Sequence, residues 1–97
     1  MPKLVIVTFD LSGAKSPQYK IIRDGMADLG LYKYIVKDDH KVYLPYNTVA
    51  GKPKAGSPTG LRDRLAKSIK ALFRTHRLKG RAFIAVGGRW AWAKRVT

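Results

Sequence analysis

The chain has 97 residues, of which 20 are Lys or Arg and 6 are acidic, so its formal net charge is +14. This length fits one domain, and an apolar content of 45% is enough for a modest core. The absence of cysteine excludes disulfides, thiolate nucleophiles and cysteine metal sites, and no apolar run reaches the roughly 18 residues of a membrane span. We therefore expect a single cytoplasmic domain over residues 1–97, with no membrane partner.

The first predicted element is a strand. Residues 4–9 read LVIVTF, an apolar run rich in Val and Ile that is too short for a helix. It predicts a central strand buried on both faces, with Asp10 at its exit. Glu is absent from the chain, and Asp10 is the only one of its acids that adjoins a strongly apolar run. Asp10 is therefore the first candidate for a functional carboxylate.

A helix is predicted over residues 17–29. Ser16 and Pro17 are typical of an N-cap followed by proline at the first helical position. Gly30 stands where a glycine commonly ends a helix. The apolar residues that recur at helical spacing form its buried stripe: Tyr19, Ile22, Met26 and Leu29.

The next segment predicts a hairpin and then a loop. Alternating apolar and Lys positions over residues 31–37 indicate a second strand, and residues 38–40 its turn. A third strand is predicted over residues 41–48, where Pro45 favours an edge position or a bulge because it lacks a backbone donor. Residues 49–60, rich in Gly, Pro and Lys, predict a flexible basic loop.

A second helix begins after that loop, with Thr59 or Gly60 as its expected cap. Its apolar stripe consists of Leu61, Leu65, Ile69, Leu72 and Phe73. Its opposite face is basic and consists of Arg62, Arg64, Lys67, Lys70, Arg74 and Arg77. Asp63 is the only acid in this segment, so salt bridges within the helix cannot neutralise so many cations. We expect an external polyanion to do so.

Two more strands complete the predicted fold. Residues 81–86 favour a fourth strand, and residues 89–96 a short last strand with both indoles on one face. Trp90 and Trp92 are expected in the core or in a dimer interface, with base stacking as the alternative. The order of elements predicts an α+β ferredoxin-like βαββαβ domain with a short extra C-terminal strand. Both helices would cover one sheet face, so we expect a homodimer that pairs the open faces of two sheets.

The charge asymmetry predicts a nucleic-acid partner. From Leu61 onward there are 11 Lys and Arg and one Asp. Phosphates neutralised by such cations release counterions, which gives salt-sensitive binding without sequence reading. Besides the basic helix, the candidate binding residues are Lys52, Lys54 and Arg89. An acidic protein partner, or a solvated basic face with no polyanion, remains the alternative, because charge alone does not choose among them.

The order of short motifs resembles a known family. Residues 4–11 (LVIVTFDL), a helix that contains Tyr19, residues 44–48 (LPYNT), residues 60–65 (GLRDRL) and residues 82–86 (AFIAV) are similar in order to the small CRISPR-adaptation proteins. That group includes CRISPR-associated protein two and its relative, virulence-associated protein D; this chain looks most like their stand-alone branch. The resemblance spans nearly the whole chain and implies the ferredoxin-like fold.

The resemblance also implies a metal-dependent nuclease. In that family the aspartate at the tip of the first strand, here Asp10, faces its symmetry mate across a dimer, and the pair holds one Mg²⁺. Ser12 would then contact a phosphate or the water shell of the metal, with a turn-forming serine as the alternative. We favour a nucleic-acid-binding protein over the nuclease of RNA or DNA, and a basic inhibitor of an acidic protein is the third hypothesis.

Overall fold

The computed structural model describes residues 3–53 and 57–87, so the strand predicted over residues 89–96 lies outside the described part. The described elements, in chain order, are β1 (Leu4–Leu11), α1 (Ser16–Ala27), β2 (Tyr34–Lys37), β3 (His40–Tyr43), β4 (Thr48–Gly51), α2 (Pro58–Thr75) and β5 (Gly80–Gly87). They form an α+β architecture with a three-stranded antiparallel sheet and two helices, which is compatible with the ferredoxin-like fold. Neither described helix is long and apolar enough to span a membrane.

Strand β1 is the centre of the sheet, as predicted. The strand order is β4-β1-β5, and Val7 pairs with Val49 on one side and Ile84 on the other. The predicted burial of residues 4–9 on both faces is confirmed in part: Leu4, Val5, Val7 and Phe9 are buried, whereas Ile6 and Thr8 are only half-buried. The side chains that point to the helices are buried, and those on the opposite face meet no helix.

The predicted hairpin of β2 and β3 is confirmed. It forms a two-stranded sheet of its own, although the predicted ferredoxin-like order would place both strands in the sheet of β1. Its two-residue turn has positive φ at Asp38 (51°) and Asp39 (63°), the geometry of a type I′ turn. His40, expected in the turn, is the first residue of β3 and pairs with Lys37. An isolated bridge between Tyr32 and Ala50 joins the segment before the hairpin to β4.

The predicted third strand and the loop after it have different bounds in the structure. Residues 44–47 interrupt the strand, so Pro45 lies in a break rather than at the predicted edge position or bulge; its missing N–H cannot contribute to a strand ladder. Residues 49–51, assigned to the loop, belong instead to β4. The physical reason is burial: Val49 and Ala50 are 0% and 1% exposed beside β1, so the sheet holds them in place.

Both helices begin at residues other than those predicted. The N-cap of α1 is Lys15, whose backbone N–H donates to Gln18 Oε1 at 3.0 Å, and Ser16 is already helical. The N-cap of α2 is Ser57, whose Oγ accepts from Gly60 N–H at 3.0 Å. Polar residues lie at several neighbouring positions before each helix, so composition alone did not identify the cap.

The glycine stop after α1 and the apolar stripes of both helices agree better with the sequence, although α1 ends at Ala27, two residues before its predicted end. Gly30 has φ +83°, which confirms it as the stop after α1. The buried cluster contains residues of both predicted stripes, namely Ile22, Met26, Leu61, Leu65, Ile69 and Phe73. The ring of Phe9 on β1 lies 5.8 Å from that of Tyr19 and 6.4 Å from that of Phe73. Both helices therefore pack on the same face of the sheet.

Candidate nucleic-acid interface and the Asp10 cleft

The outer face of α2, defined here by Lys67, Lys70 and Arg74, lies opposite the buried stripe. All three side chains are exposed. They follow one another at spacings of three and four residues, which places them in one row along the helix. The row covers about 10 Å of helix, an axial length over which one DNA strand carries about three phosphates.

Asp63, the single acid of α2, forms an ion pair with the neighbouring Arg62. Asp63 Oδ1 accepts from Arg62 Nε and lies 2.9 Å from Arg62 Nη2. This pair is largely exposed and contributes little to stability. Among the described residues, no acid pairs with Lys67, Lys70 or Arg74 on the outer face of α2.

The other predicted binding residues are dispersed. Arg77 lies beyond the end of α2 rather than on its face, in a left-handed turn with φ 54°. Leu78 N–H donates to Phe73 O at 2.9 Å and closes this turn. Lys52 is exposed after β4, beside the tyrosines of the hairpin. Lys54 and Arg89 fall outside the described residues.

Asp10 lies at the rim of a cleft of about 400 Å³. The cleft is lined by Asp10, Leu11, Ser12, Tyr19, Gly80 and Arg81. The carboxylate is exposed, and its Oδ1 accepts from Asn47 Nδ2 across 3.4 Å. This long contact orients the carboxylate weakly and leaves its second oxygen open to a ligand.

The break at residues 44–47 brings Asn47 to this position. Asn47 O accepts from Phe9 N–H at 3.0 Å, and Pro45 O accepts from Thr48 N–H at 2.9 Å. The break therefore docks on β1 one residue before Asp10. The sequence predicts no function for Asn47; the signal that identifies such a residue is an Asn that follows a proline between two strand-forming runs.

Tyr19, which the sequence did not assign to the site, lines the cleft, and its ring contacts that of Tyr46. Tyr19 Oη accepts from Leu11 N–H at 3.0 Å. The ring of Tyr19 lies 5.3 Å from that of Tyr46, whose hydroxyl donates to Ser16 O at 3.2 Å. These contacts tie the start of α1 to the end of β1 and to the break.

The donors in the cleft meet the needs of Mg²⁺ only in part. Mg²⁺ binds through one or two carboxylates, several waters and substrate phosphates. Asp10 supplies one carboxylate, and the described residues contain no cluster of three or more His, Cys, Asp or Glu. Ser12 is exposed, and its backbone N–H donates to Lys79 O at 2.7 Å, so it also has a structural role in the turn. A second carboxylate would have to come from another copy of the chain.

No protein-family model matches this chain, and no curated protein has significant sequence similarity to it. The resemblance to the small CRISPR-adaptation proteins therefore rests on the short motifs quoted above. Because a shared fold does not define an activity, the function has to be argued from the surfaces of this molecule.

Proposed function

We propose that this protein binds nucleic acid and that the outer face of α2 holds the phosphate backbone. The observation that carries the proposal is the row formed by Lys67, Lys70 and Arg74, exposed on one side of a helix whose single acid is paired with Arg62. Three cations in a row, in a chain of net charge +14, match the spacing and sign of a phosphate backbone. Such contacts position a strand without reading its sequence.

The salt dependence of binding tests this proposal. Fluorescence anisotropy with a labelled 20-base-pair duplex would give the affinity of the wild type and of Lys67→Glu/Lys70→Glu between about 50 and 200 mM salt. We expect the variant to bind at least about 10-fold more weakly. The slope of log affinity against log salt should also fall by about 2, since each lost phosphate contact removes about one unit.

A matched control separates local contacts from overall charge. Lys15 and Lys33 are exposed outside α2, and Lys15→Glu/Lys33→Glu changes the net charge by the same amount. Near 100 mM salt the Debye length is about 10 Å, so distant charges matter little. The control should keep the wild-type slope. Equal losses in both variants would show that binding is delocalised over the surface and would reject the role of α2.

A metal-dependent nuclease is the second candidate, and the exposed carboxylate of Asp10 in the cleft favours it. Bound Mg²⁺ would polarise a phosphodiester and orient an attacking water. Asp10 would hold the metal, and Arg81, which also lines the cleft, would contact a substrate phosphate. This candidate requires the predicted homodimer, because one chain supplies a single carboxylate to the described cleft.

Asp10→Asn tests the nuclease candidate, because it removes the charge and keeps the shape of the side chain. Labelled RNA and DNA would be incubated with wild type and variant, with Mg²⁺ or a chelator. Mg²⁺-dependent cleavage that is lost in the variant while binding persists would support the nuclease. Binding without cleavage in either protein would leave a binding protein, and no binding at low salt would instead favour an acidic protein partner.

A further inference from the structure

The face of the sheet opposite the helices, called here the open sheet face, carries exposed aromatic side chains. In the register of the sheet, Thr8 lies between Thr48 and Phe83, and Ile6 lies between Ala50 and Ala85. Phe83 is 68% exposed, although it is a large apolar residue in the interior of a strand. At the opposite edge of the same face, Tyr32 bridges to Ala50 of β4 and is 43% exposed.

Two further tyrosines, Tyr34 and Tyr43, extend this surface from Tyr32 onto the hairpin. The rings of Tyr32 and Tyr34 are stacked, with centroids 5.8 Å apart and an interplanar angle of 23°. Tyr43, which is 49% exposed, meets Tyr34 edge to face at 6.1 Å. The rings are thus held by one another, which lowers the entropy that a partner would have to remove on binding.

Non-aromatic side chains, all smaller than the rings, lie between the two aromatic groups. Ile6, Thr8, Thr48 and Ala85 are half-buried, and Ala50 is buried. Two shallow hollows flank this strip, one of about 340 Å³ beside Tyr32 and Tyr34 and one of about 270 Å³ beside Phe83. The surface is therefore low in the middle and bordered by rings, a shape that accepts flat groups on either side.

Cations stand next to both groups of rings. Lys41 Nζ lies 4.5 Å from the centroid of the Tyr34 ring, and Lys52 lines the hollow beside Tyr32. Arg81 is exposed and lines the hollow that contains Phe83. Asp10 is opposite Arg81 in the register, but no ion pair joins these two described residues. Rings with cations beside them fit a ligand that carries both planar groups and negative charge.

We propose that the open sheet face binds single-stranded nucleic acid, with unpaired bases stacked on Phe83 and Tyr32 and phosphates beside Arg81, Lys41 and Lys52. Stacking on aromatic side chains accepts any base, because every base presents a π face. In a duplex the bases are paired and stacked on one another, so their faces are not accessible to the rings. The inference rests on the proposed function and adds a second surface, since α2 packs on the opposite side of the sheet.

The other occupant that fits an apolar sheet face is a second copy of the chain, and charge disfavours it. Each copy has net charge +14, and pairing two open faces would bring together the cations that border them. A net charge so far from zero opposes self-association, whereas it attracts a polyanion. The same border that repels a second copy is complementary to a phosphate backbone.

The test compares three probes of known composition, namely a labelled 12-nucleotide single strand, an abasic strand with the same number of phosphates, and a duplex. The variants are Phe83→Ala and Tyr32→Ala. Phe83→Tyr keeps an aromatic ring, and Ile21→Ala removes from α1 an apolar side chain that is as exposed as Tyr32, at 43%. We expect each ring deletion to weaken binding to the base-bearing strand about 5-fold or more. Binding to the abasic strand and to the duplex should stay within about 2-fold, and both controls should resemble the wild type.

The outcomes separate this inference from the proposed function. If Lys67→Glu/Lys70→Glu loses affinity while ring deletions change nothing, the open sheet face is not a nucleic-acid site and the role of α2 stands. If the ring deletions act equally on the abasic strand, stacking is rejected. Sedimentation of the wild type as a dimer that Phe83→Ala dissociates would assign the face to a second copy and overturn the inference. If no probe binds at low salt, both proposals fail.

Discussion

The two helices pack on the same sheet face, but their charged side chains differ in whether they have partners within the protein. On α1, Lys20 Nζ donates to Asp24 Oδ2 at 2.8 Å, and the guanidinium of Arg23 lies 4.5 Å from the ring centroid of Tyr46. On α2, Lys67 and Lys70 are exposed in a helix that has one acid. The charges of α1 are engaged by the protein itself, whereas the outer face of α2 is complementary to an external anion.

The contrast teaches that a basic composition by itself is not a binding site. Arg23 contributes to the net charge as much as Lys70 does, but its side chain is half-buried against the break at residues 44–47. Nε of Arg23 is buried without a hydrogen-bond partner in the structure, so this cation is held in place by packing. The position of a cation relative to the core decides whether it is free to meet a phosphate.

The largest expected effect comes from separating the two faces of α2. Ile69 is 3% exposed in the core, so Ile69→Ala should lower the free energy of unfolding by about 2–5 kcal/mol. Lys70→Ala, one residue away on the outer face, should change it by less than about 0.5 kcal/mol. Urea denaturation followed by circular dichroism measures both. A comparable loss in Lys70→Ala would show that the outer face is engaged in a structural contact.

The N-termini of the helices provide a smaller and equally direct comparison. Ser57 caps α2 through Gly60 N–H, whereas the side chain of Ser16 has no such role at α1. Ser57→Ala should therefore lower the free energy of unfolding by about 1 kcal/mol. Ser16→Ala should have an effect within about 0.5 kcal/mol of zero. Thermal or urea unfolding of the two variants would decide, and the reverse order would contradict the caps assigned here.

The smallest effect concerns the ion pair on α1. The hydrogen bond from Lys20 holds the pKa of Asp24 below its usual value, and the nearby cations Arg23 and Lys33 act in the same direction. Because this pKa is lowered in the folded state, the pair stabilises the fold above the usual pKa of Asp. That contribution disappears as the pH falls through the lowered pKa.

Titration of the Asp24 carboxyl followed by NMR would measure this shift in the wild type and in Lys20→Gln. We expect the pKa of Asp24 to rise toward its usual value in the variant, and high salt to reduce the shift in the wild type, because Asp24 is exposed. An unchanged pKa in Lys20→Gln would assign the shift to Arg23 and Lys33. Neither result should alter binding through α2, because Lys20 and Asp24 lie on α1.

Several features of the fold could be predicted from the sequence, because they depend on local periodicity. The stripe on α2, the central position of β1 and the turn at Asp38 and Asp39 follow from spacing and residue type. The bounds of β4 could not be predicted in this way, because Val49 and Ala50 stand next to Gly51 and a run of loop-forming residues. Only pairing with β1 and burial in the sheet make this short segment a strand.

The features of the candidate sites also divide into those set by local sequence and those set by tertiary packing. The sequence by itself determined the charge of α2 and its separation into an apolar and a basic face, since a helix places every third or fourth residue on one side. Tertiary structure alone decided which cations remain exposed, that Asn47 contacts Asp10 while Tyr19 lines the cleft, and that Tyr32 and Phe83 share the open sheet face. These residues are far apart in the chain, and only strand pairing and packing bring them together.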